Sequence, residues 1–286
     1  MKRFAGLLLL PFLLGNANVS PAQQPPAGAM GPPKVLVLFR EFVKPGKSGS
    51  SHEKTESAFV QAFTRANWPT HYFAVDSMTG RPRSLFLTGY DSFEAYGKDS
   101  EAVQKNAGLS AALDRAGVAD GDLLSDADGH ALVLRPDYSL NANVDIAHMR
   151  YFSITTFRVR EGHRQDWDAL VKMVLAAYEK IPDVHFATYE SEYGNEGLTY
   201  VVFTPMQSLA EVDRSFAQDK QFEAAMGQDG MKRLADLEAA AVESSQSNLF
   251  SFNPRESYPP PAWAQADPEF WTPKTASAPP AKPHKP

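Results

Sequence analysis

The sequence predicts an α+β fold in which one β-α-β-β-α-β unit is used twice in tandem, and three observations predict it. The stretches "WPTHYFAVDSMTGRPRSLFLTGYDSFEAY" (68–96) and "IPDVHFATYESEYGNEGLTYVVFTPMQSLAEV" (181–212) are loose paraphrases of each other, and self-similarity at long period marks a repeated structural unit. Hydrophobic periodicity also switches in the same order in both halves, from strand runs to a helical stripe and back. Finally, Pro69 and Pro182 end the first helical pattern of each half at equivalent points, because proline cannot continue the helical ladder and biases its predecessor away from it.

The chain opens Met1-Lys2-Arg3 and continues "FAGLLLLPFLL", a basic start before an apolar run too short to span a bilayer. It is expected to be a secretory signal peptide over 1–22, cut after Ser20-Pro21-Ala22 or alternatively near Gly15-Asn16-Ala17, with a retained N-terminal anchor as the other reading. Residues 23–33 are a Pro/Ala-rich linker. The first repeat is expected over 34–141 and the second over 142–256. In each, a β-rich run ("VLVLFREFVKPGK", "YFSITTFRVREGH") ends in a glycine turn before a helix, with Pro45-Gly46 lying over Glu161-Gly162.

The first-half helix carries Phe59, Ala62, Phe63 and Ala66 on one stripe, and the second-half helix Trp167, Leu170, Val171, Val174 and Tyr178. The hairpins "HYFAVDS…RSLFLTGY" and "VHFATYE…LTYVVFTP" follow, each with glycine in its turn. Ser92 and Ser208 then read as N-caps of a second helix, with Glu94 and Glu211 close behind. The last strands, "HALVLRPDY" and "SNLFSFNPRES", are expected to close at Pro136 and Pro254. Residues 257–286 form a Pro-rich tail; Trp263, Phe270 and Trp271 argue that its first part lies against the body, with the stretch after Thr272 disordered.

A β-α-β-β-α-β unit is the split βαβ, or ferredoxin-like, arrangement. It carries helices on one sheet face only, so the other face needs a cover, and the second copy can supply it. The pattern of strand, "PGK" or "EGH" turn, amphipathic helix, proline, hairpin and serine-led second helix resembles the dimeric α/β-barrel superfamily, in the tandem form of NIPSNAP-like and antibiotic-biosynthesis-monooxygenase-like proteins. The resemblance covers about 34–256 and implies two ferredoxin-like repeats closing into a pseudo-dimeric barrel. Two separate ferredoxin-like domains joined near Ala142 are the alternative.

Composition narrows function. The 286 residues are 43% hydrophobic, enough for two modest cores, and contain no Cys, which excludes disulfides and thiolate metal sites. A net charge of -6 argues against nucleic-acid or anionic-membrane surfaces. Small-molecule or protein partners remain, for a chain that is a monomer with an internal pseudo-dimer or a weak homo-oligomer. HExxH, nucleophile-elbow and Gly-rich phosphate motifs do not occur.

Candidate ligand-binding residues are His185, Tyr189, Thr155 and Trp167 in the second half, with Arg40 or Glu41, Tyr72 and Asp76 as first-half counterparts. They are expected in cavities between sheet and helices, the second half's being the functional one. His185 leads because imidazole can exchange a proton near neutrality or ligate iron; a core histidine satisfied by a carbonyl is the alternative. His71, one register position away, is expected to face the other way. "DGDLLSDADGH" lacks the oxygen ligand a calcium loop needs at Leu124, so Asp128-Gly129 reads as a hairpin turn, and Glu190, Glu192 and Glu196 read as a solvated acidic turn. No metal site is assigned, and no cofactor is predicted, although the resemblance allows haem.

Three functions fit: an exported protein binding an apolar or aromatic small molecule, an oxygenase or isomerase of the resembled type working without cofactor or with haem, or a structural interaction protein.

Overall fold

The structure is a computed structural model that describes residues 31–47 and 49–272. The expected signal peptide, most of the expected linker and residues 273–286 lie outside the described residues. Among the described residues no helix is long and apolar enough to cross a membrane.

The first half runs β1 (Val35–Val43), α1 (Ser50–Ala66), β2 (Tyr72–Ser77), β3 (Arg83–Tyr90), α2 (Phe93–Lys105), α3 (Ala107–Gly121) and β4 (Leu124–Leu134). The second runs β5 (Tyr151–Val159), α4 (Arg164–Tyr178), β6 (Ala187–Tyr193), β7 (Thr199–Met206), α5 (Ala210–Ala241) and β8 (Val242–Tyr258). Two short helices, α6 (Pro261–Ala266) and α7 (Pro268–Trp271), follow. The strands close a barrel in the order β1-β3-β2-β8-β5-β7-β6-β4. This is two sheets of identical order, β4-β1-β3-β2 and β8-β5-β7-β6, joined at β2/β8 and β4/β6 by antiparallel pairing. The chain therefore has the dimeric α/β-barrel fold, with both halves in one polypeptide.

Because strand residues alternate faces, each half has a barrel side and a helix side. Leu36, Leu38, Phe152, Ile154, Tyr189 and Phe203 belong to the barrel-side core. Phe157, Trp167 and Tyr200 belong to a separate core beneath α4 and α5. Burying the barrel side of one half against the other is what an isolated half could not do, and at about 25 cal/mol per Å² of apolar area it is the main force joining the halves.

Several local expectations are corrected. Asp128 and Gly129 are not a turn: they sit inside β4, paired with Arg40 and Phe39 of β1, because the ladder with β1 runs unbroken from Val35/Val133 to Phe42/Asp126 and carries the strand through them. Pro254 does not end the last strand. It lies in a bulge of β8, where Asn253 pairs with Ala74 and Tyr258 with Tyr72, and the Ser257 hydroxyl accepts from the Ala74 amide at 2.9 Å in place of a ladder carbonyl. Ser92 is the N-cap of α2, accepting from Ala95 N, but Ser208 caps nothing: α5 starts after Leu209, and Glu211 accepts from the Gln207 amide instead. Each half's second helix is interrupted, at Asn106 between α2 and α3 and at Gly227 (φ 67°) inside α5, where a left-handed conformation suits glycine.

The tail's aromatics do dock. Trp263 and Trp271 are buried, the Trp271 indole donates to Ala147 O at 2.8 Å, and Arg150 pairs with Asp267 while stacking 3.9 Å over Phe270.

Candidate functional site

A cavity of about 570 Å³ opens at the barrel end that the tail covers. Both halves line it: Leu36, Phe73 and Leu87 from the first, Phe152 and Phe203 from the second, with Trp263 as its tail-side wall. Phe73 packs 5.4 Å from both Phe252 and Trp263. The wall is thus aromatic and mostly apolar, the usual make-up of a small-molecule site.

Its polar groups are few. Tyr189 Oη donates to Pro33 O at 3.0 Å, so 31–33 is no free linker but part of the rim. His185 lies just before β6 rather than within it; its Nε2 is 2.7 Å from Pro205 O and its Nδ1 3.2 Å from Asp183 O. Both ring nitrogens of His185 thus face main-chain carbonyls, and the side chain is only partly buried. His71, expected to face away, lines the same cavity. Its ring lies 4.6 Å from that of Tyr258, and its Nδ1 is buried without a partner. Burial pushes the His71 pKa down, against the opposing effect of a hydrogen bond that the ring donates to the Tyr258 main chain, so the neutral ring is favoured.

Of the residues proposed from sequence, His185, Tyr189 and Tyr72 line the cavity. The others lie elsewhere. Trp167 is on the opposite side of the sheet, stacked 5.0 Å from Tyr200 and 5.2 Å from Phe157. Thr155 shares that outer face and bonds Ser247 at 2.8 Å. Arg40 lies four residues along β1 from Leu36, roughly 13 Å away at strand rise, and clamps Asp128 through two 2.6 Å bonds. The second half's helix layer, where a ligand cavity was expected, is filled by its own aromatics, and the barrel-mouth cavity lies on the other face of the sheet.

Glu190 is also no solvated turn residue. It is buried in β6, bonded by Arg164 at 2.6 Å and by Arg135. Burial alone would raise its pKa, but those two guanidiniums hold it below the usual carboxylate value.

In the first half's helix layer, sequence reasoning reached Glu41 but not its partners. There Glu41, His52, Glu56, Asp120 and Glu256 are all buried. His52 Nε2 lies 3.1 Å from Glu41 and 3.6 Å from Asp120, and its Nδ1 3.3 Å from Glu256. Burial alone would depress the His52 pKa, but hydrogen bonds to Glu256 and Glu41 push it up to about 11. Glu56 is pushed up to about 10, by burial first and then by the charges of Glu41 and Asp120. The available signal was His52 and Glu56 at i, i+4, continuing the stripe of Phe59 and Phe63 towards the helix N-terminus.

No family model matches the chain, and no curated protein matches it. Solved structures do. An anthrone oxidase-like protein aligns with TM-score 0.50 and 15% identity over 77% of this chain and 92% of its own. A candidate monooxygenase from Fusobacterium nucleatum subsp. nucleatum aligns at 0.49 and 10% over 78% and 94%. A mutant chlorite dismutase from Candidatus Nitrospira defluvii aligns at 0.45 and 10% over 82% and 95%. At these identities the likeness is one of fold.

Proposed function

We propose that the chain binds one apolar, aromatic small molecule in the barrel-mouth cavity, with His71 Nδ1 as its polar anchor. A single observation carries this reading: an aromatic-walled cavity of about 570 Å³ with His71 on its lining, a histidine whose buried Nδ1 no protein group satisfies. Buried polar atoms normally have partners, and a phenol or enol oxygen in the cavity would supply one. Export, argued from the basic and apolar N-terminal run, belongs to the same proposal.

Against haem in this cavity, no Lys or Arg is among the residues lining it to pair with haem carboxylates, and His185 already faces two carbonyls. A second reading, a cofactor-free oxygenase or isomerase, is favoured by the neutral state of His71, which suits it to take a proton from a bound ligand. The anthrone oxidase-like neighbour supports it as an analogy of fold.

The test is titration with 1-naphthol, which has an aromatic body and one hydroxyl. Ala142 lies on the cavity rim and is only partly buried, so Ala142→Trp fills the cavity with little risk to folding. The expected result is saturable binding to the wild type that Ala142→Trp abolishes. Unchanged binding in that variant sinks the proposal.

A further inference from the structure

We infer that Glu41, His52, Glu56 and Asp120 form a binding site for one divalent first-row transition-metal ion, with Glu256 orienting His52 from behind. The site is separate from the barrel-mouth cavity and lies between the first half's sheet and its helices.

Three elements aim the four donors. Glu41 comes from the helix side of β1, His52 and Glu56 from one face of α1 at i, i+4, and Asp120 from the end of α3. One donor atom from each lies within 4.8 Å of all the others. Two ligands on a tetrahedral ion with bonds near 2.1 Å stand about 3.4 Å apart, and His52 Nε2 stands 3.1 Å from Glu41 and 3.6 Å from Asp120.

The surroundings are those of a ligated imidazole. A metal-bound histidine usually gives its other N–H to a carboxylate, and His52 Nδ1 faces Glu256 Oε1 at 3.3 Å. Glu256 reaches this place only through the β8 bulge: in an unbroken pleat it would share the barrel side with Phe250 and Phe252. Asp120 is steadied in turn by the Thr55 hydroxyl at 2.6 Å.

A separate observation points to a missing partner. Glu56 is 3% exposed, yet its Oε1 has no hydrogen-bond partner, and neither has Oε2 of Glu256, which is 1% exposed. Among the described residues no Lys or Arg lies within ion-pair distance of Glu41, Glu56, Asp120 or Glu256. Leaving such groups buried and unpaired is costly.

The second half shows that the fold does not require this cost. Glu41 pairs with Ser84 across β1/β3, and Phe157 pairs with Tyr200 across the equivalent β5/β7 ladder. Where the second half packs Phe157, Tyr200 and Trp167, the first half sets carboxylates around an imidazole. One nitrogen and three carboxylate oxygens suit Zn²⁺, Mn²⁺ or Fe²⁺ better than Mg²⁺ or Ca²⁺, which favour all-oxygen shells. A cavity of about 350 Å³ reaches the cluster at His52 and Glu256 and supplies a way in.

The test uses the whole chain, stripped with chelator, then given Zn²⁺ or Mn²⁺ and dialysed. The expected result is one equivalent retained by elemental analysis and a Tm raised by about 5–10 °C at a hundredfold excess over Kd. Glu56→Gln should weaken retention at least about tenfold while its metal-free Tm stays at or above that of the metal-free wild type. Glu256→Gln, one shell out, should weaken it by about 10–100-fold. Failure of the wild type to retain either ion, or equal retention by Glu56→Gln, overturns the assignment. Because 1-naphthol binding is read at the other cavity, its success or failure is independent of this result.

Discussion

Glu41 and Phe157 occupy the same register position in the two halves of one barrel: each faces the helix layer, each lies on the first strand of its half, and each is paired with the equivalent residue of the third, Ser84 or Tyr200. One position is filled for chemistry of charge, the other for packing. That difference organises the expected behaviour of the two halves.

In the packed half, Trp167 is 2% exposed and sandwiched by aromatics. Trp167→Ala should therefore cost about 3–5 kcal/mol of stability in denaturant titrations, and leave 1-naphthol affinity unchanged. A lost affinity with intact stability would put Trp167 back in a ligand site.

In the polar half, breaking one partnership leaves a charge buried. His52→Leu and Glu41→Leu should each destabilise the metal-free protein by about 3–5 kcal/mol, while the double change costs less than their sum, with a coupling of about 0.5–3 kcal/mol. Strict additivity in the cycle would show that the two side chains do not interact.

Glu190 gives a pH dependence whose sign follows from its partners. Its folded pKa is depressed, so its stabilising contribution is present above the unfolded value, about 4.3, and is lost as pH falls through the folded value. Melting curves from pH 6 to pH 3 should show the wild type losing more stability than Glu190→Gln. Parallel curves would mean the Arg135 and Arg164 contacts contribute nothing.

The barrel seams make the halves mutually dependent. Fragments 34–140 and 143–260, expressed separately, should dimerise or aggregate, because each exposes the barrel side that carries Leu36 and Leu38 or Phe152 and Ile154. Two monomeric, fully folded fragments would contradict closure.

Much of the fold was legible in the sequence because repetition is visible without contacts. The order of strands and helices, the prolines at 69 and 182 and the docking of Trp263 all follow from local pattern. What failed were places where distant pairing overrides local chemistry. Asp128-Gly129 looks like a turn until β1 is seen beside it, and Pro254 looks like a stop until the bulge accommodates it. The candidate site was partly legible: His185, Tyr189 and Tyr72 all line one cavity, although the Tyr72 ring packs on Phe63 of α1, but which side of a sheet the barrel encloses is a tertiary fact, and Trp167 lies on the other side from Tyr189. The polar cluster draws Glu41, His52, Asp120 and Glu256 from positions as much as 215 residues apart (256 − 41), and no contiguous motif records such a set.

The most direct measurement is calorimetric titration of 1-naphthol into the wild type, Ala142→Trp, His71→Phe and Arg40→Ala. The account predicts one site in the wild type, no binding to Ala142→Trp, roughly tenfold weaker binding to His71→Phe through loss of one hydrogen bond, and wild-type affinity in Arg40→Ala. Wild-type affinity in Ala142→Trp, or binding lost only in Arg40→Ala, would contradict it.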